Sequence, residues 1–418
     1  MSGRLLQLAW RNLWRNPRRT SITMAAIALG YAMLLFVACL MEGLRQQMIE
    51  NGTNLVFSQI QVHASGYYPN RSLQKTLGAG RGTDVSAILA AVTADHRVYA
   101  ATPRVYGHGL ASAAHQSGGV ELMGVAPDQE QKVTVLHTRI VKGRYLNEWM
   151  PKGIVMGDKL ATTIGVGVGS EIALLAQAAD GSMGDDLYAV AGIFHTGLEP
   201  MDRGLVLMSL PSLQELLHLA PGRIHEVGIK LHDATEAVAV AGTLEAQLGK
   251  TLPVRVQAWP ELAPELAAYV QFNRSVTVML FFIFFLLAVM GIMNTMLMAV
   301  FERTRELGML MGLGMRPVQV VGLVLAEATG LAVVSLVLGV ALGAPLLWYL
   351  QVHGLELGGA ANEISVAGVP VGHLWYGRQD FSAYSQAALG LAVAAVASAL
   401  YPALRAAHYR PTEALRKA

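Results

Sequence analysis

The chain has 418 residues, of which 53% are hydrophobic and only 14% charged, with a mean hydropathy of +0.41. A soluble domain carries nearer a quarter charged residues, so disorder, nucleic-acid binding and a highly charged scaffold are excluded. One cysteine, Cys39, rules out a disulfide-stapled domain and any multi-cysteine metal cluster. The formal net charge is only +2.

In chain order, residues 1–20 come first. They combine Trp10 and Trp14 with five arginines and no acid, which predicts a cytoplasmic helix lying in the membrane interface. Ser21 to Met41 is apolar and long enough to span, without the small-x-small site of a signal peptide. Residues 42–275 have ordinary composition and read as a large extracytoplasmic α+β domain with stalk ends. Alternation marks strands at 55–64, 153–158, 171–177, 188–195 and 225–232, and helices are expected at 84–94, 210–220 and 234–248. Three further spans follow at 276–301, 318–350 and 382–401, so the fold class is a four-helix membrane domain with the α+β domain inserted between helices 1 and 2. A cytoplasmic segment at 302–317, an extracytoplasmic loop at 351–381 and a tail at 402–418 complete the division.

Charge sets the orientation. Residues 1–20, 302–317 and 402–418 hold 12 basic and 3 acidic side chains, whereas the remainder outside the spans holds 19 basic and 25 acidic. Basic flanks stay inside, so both termini are placed in the cytoplasm and the large domain outside.

No catalytic constellation emerges. LGKT at 248–251 lacks the leading glycine of a phosphate loop, since Leu244 stands there, and GVGVG at 165–169 reads as a turn. HExxH and GxSxG are absent, and the histidine pairs 108/115 and 218/225 are seven apart, so no metal site is expected. Cys39, inside a span, reads as a small apolar residue. A stand-alone membrane enzyme therefore has no support. Glu327 is the one acid within a span, about 15 Å along its helix, and is read as structural in preference to a proton relay.

FERTRELGMLMGLG, from Phe301, predicts a short amphipathic helix pinned between two spans, with Pro317 opening the next. Glu302 and Glu306 are four apart, Arg303 and Arg305 offer charge-assisted bonds to a partner, and its Met and Leu side chains suit apolar contact. Together with LAWRNLWRNPRRTSIT near the start and YPALRAAHYRPTEALR at the end, this segment resembles the FtsX-like family of ABC transporter permeases, which includes the MacB and LolC/LolE types. The resemblance covers essentially the whole chain. Segments such as PRVYGHGL, LMGVAP and VAGIFHTGLEPMDRGLVLMSLPSLQELL are most similar to the LolC/LolE outer domain, although 351–381 is longer than in that branch. A MacB equivalent with its fused ATPase domain is not expected.

The resemblance implies a non-catalytic permease subunit in the inner membrane, moved by a separate ABC ATPase present in two copies, with ATP and magnesium on that partner and no cofactor in this chain. It implies a second permease, identical or homologous, and a periplasmic acceptor or effector protein. The ATPase-coupling residues would be Glu302, Arg303, Thr304, Arg305, Glu306, Gly308, Met311 and Gly312, and Glu327 matches a glutamate common in the third span. Lipoprotein or another amphiphile would be drawn from the outer leaflet by mechanical transmission. Met33, Phe36, Leu40, Met279, Phe281 and Phe284 offer flexible and aromatic groups for acyl chains. Some relatives use the same movement to activate an extracytoplasmic hydrolase, which leaves a regulatory module without cargo as the alternative.

Overall fold

The computed structural model describes residues 2–78, 84–113, 116–250, 252–356, 365–366, 369–370 and 374–408. His115, most of the loop 357–373 and the C-terminal signature beyond His408 lie outside them. The chain divides into two compact units: residues 1–45, 271–357 and 374–418, and residues 46–270 with 358–373.

The first unit is helical. Helix α1 covers Ser2–Leu13, α2 Pro17–Asn51, α3 Pro264–Glu302, α4 Thr304–Gly312, α5 Pro317–Val352 and α6 Phe381–Ala407. Four of these, α2, α3, α5 and α6, are long and apolar enough to cross a membrane. Pro17 and Pro317 occupy first-turn positions that need no N–H donor, and Asp380 caps α6 by accepting the Ser382 and Ala383 N–H groups.

In lipid, helix association relies on close packing more than on apolar burial. Gly339 and Gly343 form a GxxxG pair on α5 against α2. A Cβ on Gly339 would stand 2.9 Å from the Ala28 carbonyl oxygen and from the Tyr31 ring, and one on Gly343 would meet Ala32 and Leu35. Gly390 on α6 similarly admits the Phe285 ring, which a Cβ would meet at 2.7 Å. The packing is uneven. More than half of the most apolar stretch of α2 is buried, 56%, but only 6% of that of α3.

The second unit is built on a ten-stranded sheet: β1 Ile60–Ala64, β2 Val98–Ala113, β3 Gln116–Val125, β4 Ile140–Gly143, β5 Gly153–Gly157, β6 Glu171–Gln177, β7 Met183–Phe194, β8 Leu205–Ser209, β9 Glu226–Leu231 and β10 Val254–Ala258. The order is β10-β1-β9-β2-β3-β8-β5-β7-β4, with β6 joining β2 and β7. Pairing is antiparallel except for β3 with β8 and β5 with β7.

Because side chains alternate across a strand, the sheet separates two cores. Val105, Leu122, Met156 and Val206 enter the larger core with the helices 85–93, 158–164, 210–216 and 237–248. Their neighbours Tyr106, Met123, Val155 and Leu207 enter the smaller one, with Leu136 and Phe194. The expected strand at 55–64 begins five residues late: Gly52–Val56 continues the preceding helix as a π turn. Strands β2, β3, β4, β8 and β10 were not anticipated. Of the loop after α5, Leu355–Glu356 pairs with Leu374–Trp375, and Ser365–Val366 with Val369–Pro370. Val369 is fully buried in the larger core of the second unit.

Candidate functional site

The first unit gathers an ionic network at the end of the bundle where α1, α2, α3, α4 and α5 meet. Glu327 of α5 is almost completely buried. Arg303, in the bend between α3 and α4, donates from one guanidinium nitrogen to both Glu327 oxygens, at 3.0 and 3.2 Å. Asn12 of α1 donates to Glu327 Oε1 at 2.6 Å. Arg303 also faces Glu306 Oε2 at 3.5 Å.

Glu306 is clasped in turn by Arg15 through both guanidinium NH groups, and that contact holds its carboxyl below the usual glutamate range. Arg19 lies 2.9 Å from Glu302 Oε1, and Asn16 donates to Glu302 Oε2 at 3.2 Å. Four side chains spaced along 12–19 thus bind three acids spread over 302–327. The buried bond carries the most weight, since an acid at this depth is costly unless paired.

These residues line a polar cavity of about 190 Å³. Thr295 borders it and also a neighbouring apolar cavity of about 380 Å³ between α2 and α3. Ile22, Ile27, Tyr31, Leu34, Phe284 and Phe285 line much of the apolar space, and Thr23 and Thr295 hydroxyls meet at 3.0 Å at its polar end.

Of the six residues expected to hold acyl chains, Phe284 lines this cavity and the other five do not. Met33 and Met279 are exposed on the helix surfaces, Leu40 is buried in the bundle, and Phe36 and Phe281 pack against it. The cavity lies further toward the N-terminal end of α2, where Gly30 and Ala26 leave room between larger neighbours.

The residues expected to couple to an ATPase divide into two groups. Glu302, Arg303 and Glu306 are engaged within the chain. The Thr304 hydroxyl donates back to the Val300 and Phe301 carbonyls. Gly308 is buried beside Leu307, and Met311 packs on a small core of Val300, Val320 and Leu323. Arg305 and Gly312 face outward together with Met309 and Leu313, the last 86% exposed.

Helix α4 ends in a turn at Gly314, whose φ is +101°. Met315 N–H bonds to Leu310 O and Gly314 N–H to Met311 O, both at 3.0 Å, the pattern of a glycine-closed helix end. Gln319 then accepts the Arg316 N–H and starts α5. The partners Asn12, Arg15, Asn16 and Arg19 escaped sequence reasoning, although their i, i+4 spacing (12/16 and 15/19) is visible in the segment expected to lie as a helix in the membrane interface.

Comparison with known proteins settles the family. Residues 20–247 match the MacB-like periplasmic core domain, and residues 278–411 the FtsX-like permease C-terminal domain. The chain belongs to this permease family. As an ABC transporter permease it is similar to the lipoprotein-releasing system transmembrane protein LolC of Xylella fastidiosa (strain Temecula1), 26% identical over 414 residues, covering 96% of this chain and 95% of that one. LolC of Neisseria meningitidis serogroup B is 23% identical, with 95% and 94% covered. The macrolide export ATP-binding/permease protein MacB of Bdellovibrio bacteriovorus is 23% identical, with 81% of this permease and 53% of that protein covered. The solved periplasmic region of MacB from Actinobacillus actinomycetemcomitans aligns with 51% of this permease and 94% of that chain at 12% identity and a TM-score of 0.35.

Proposed function

We propose that this permease is the membrane subunit of a mechanotransmitting ABC transporter that extracts lipoprotein or a similar amphiphile from the outer leaflet of the inner membrane. The observation that carries the reading is the adjoining pair of cavities: an apolar chamber between α2 and α3 shares Thr295 with an ionic network that clasps the coupling helix. A displacement of α4 acts through Glu306 on Arg15 and through Arg303 on Glu327 of α5, next to the Arg19–Glu302 bridge that joins α2 to α3, the two helices flanking that chamber.

The outward face of α4, with Arg305, Met309, Gly312 and Leu313, docks a separate ATPase that carries ATP and magnesium. The basic ends of the membrane unit lie in the cytoplasm and residues 46–270 in the periplasm. The scarcely buried α3 supports pairing with a second permease. The likeness to LolC over nearly the full length of both chains supports lipoprotein as the cargo.

The test is reconstitution in liposomes with the cognate ATPase, a lipoprotein and a soluble acceptor. ATP-dependent release of the lipoprotein is expected. ATPase stimulation without release overturns the cargo and leaves the regulatory, cargo-free role; no effect on the ATPase overturns the permease role proposed for α4.

A further inference from the structure

The second unit holds a cluster that the transport reading does not use. Asp158 opens the helix Asp158–Ile164, His195 follows β7, and Asp202 lies on the short helix Glu199–Gly204. His195 Nδ1 stands 3.0 Å from Asp158 Oδ2 and 3.3 Å from Asp202 Oδ2, and one ligand-type atom of each residue falls within 4.8 Å of the other two.

Several features show that this convergence is built. Gly157 sits against the Asp202 backbone: a Cβ there would stand 2.2 Å from the Asp202 carbonyl oxygen, so only glycine lets the two helices meet this closely. Asp202 is fully buried and rigidly aimed. Its Oδ1 accepts the Thr196 N–H and hydroxyl, both at 2.8 Å, and its Oδ2 accepts the Gly197 N–H at 3.0 Å. Such outer hydrogen bonds orient a metal-binding carboxylate. Asp158 Oδ1 is buried without a partner.

The cations alongside are spent elsewhere, Lys159 at 3.6 Å and Arg203 at 2.7 Å from Glu199. Two carboxylates therefore close on a single imidazole nitrogen, which has at most one proton to give. A divalent ion satisfies all three at once. Donor separations of 3.0 and 3.3 Å match the edge of about 3.3 Å that tetrahedral bonds of about 2.0–2.1 Å impose.

We propose that Asp158, His195 and Asp202 bind one divalent transition-metal ion of the zinc class through an imidazole nitrogen and two carboxylates. The mixed nitrogen and oxygen donors favour such an ion over calcium or magnesium. His195 and Asp158 are half-exposed, so the fourth position opens to solvent. The bound ion ties His195 and the short helix Glu199–Gly204 to the helix Asp158–Ile164. The sequence reading missed the site because its ligands are 37 and 7 residues apart, a spacing no short motif contains.

The test uses the full chain in detergent, stripped with chelator and titrated calorimetrically with Zn²⁺ alone, with Co²⁺ absorption as a second readout. One ion per chain is expected, with intense four-coordinate cobalt bands and a higher unfolding temperature on zinc addition. His195→Ala and Asp158→Asn should each weaken zinc binding by at least about 100-fold, the upper end of the loss from removing an outer hydrogen bond. Their metal-free unfolding should stay as in the parent, since both side chains are half-exposed. Absence of stoichiometric binding, or unchanged zinc affinity in His195→Ala, overturns the site.

Discussion

Arg104 is completely buried in the second unit, where its guanidinium donates to Glu130 at 2.8 and 3.1 Å and to Glu226 at 3.3 Å. Tyr106 donates its hydroxyl to the same Glu226 oxygen at 2.9 Å. Removing the cation leaves two acids buried and uncompensated, so Arg104→Ala should cost about 3–5 kcal/mol in denaturant unfolding of the full chain. A loss under about 1 kcal/mol would show that water takes over the role. Beside this group, His225 accepts the Tyr106 N–H at Nδ1 and meets the Leu73 carbonyl through Nε2, which fixes the neutral tautomer. Burial pushes its imidazole below the ordinary histidine value. Below that ordinary value, near 6.5, the unfolded chain takes up a proton that the folded one refuses, so stability falls with falling pH until the folded group also titrates. Unfolding temperatures from pH 7 to 5 should therefore drop more steeply in the parent than in His225→Gln, and equal slopes would remove the assignment. None of these partners was legible in the sequence, because Arg104 and Glu226 stand 122 residues apart and meet only when β2 pairs with β9.

At the scale of elements, α4 has a buried side that joins the membrane bundle and an outward side made of Arg305, Met309 and Leu313. Leu313→Glu should weaken ATPase co-purification at least tenfold without moving the unfolding temperature, because this side chain is 86% exposed. Loss of both together would place Leu313 in the structural core instead. Glu306→Lys should act differently: it opposes Arg15 and Arg303, so disrupted packing of α1 should accompany any loss of the ATPase, read by proteolysis of the N-terminal helix. Gly339→Leu should separate α2 from α5 and lower the unfolding temperature, whereas Gly322→Leu on the same helix, with open space around it, should not. The spans were readable from apolar runs alone. Several strands were not, for a physical reason: β2 and β3 carry Gly107, Gly109, Gly118, Gly119 and Gly124, which break the alternation that marks a strand. Close approach explains two of them, since a Cβ on Gly109 would stand 2.2 Å from the Leu175 carbonyl oxygen and one on Gly124 would meet Leu213 at 2.9 Å. Strand β8, apolar and buried on both faces, offers no period that separates it from a helix.

For the molecule as a whole, a small net charge hides a basic membrane unit and a more acidic remainder, and both were visible once charge was counted by segment. The position of the apolar cavity was less legible, because it depends on where small residues on α2 leave space and not on where large ones cluster. The long second span adds a consequence for stability. At 39 residues, α3 is about 58 Å of continuous helix. Leu266 near its start is buried in the larger core of the second unit, Met296 and Val300 near its end are buried in the first, and its middle is scarcely covered. Few side-chain contacts within this chain hold that middle, so apolar-to-apolar substitutions there should leave the unfolding temperature of the single chain where it is, in contrast to substitutions on the well-covered α2.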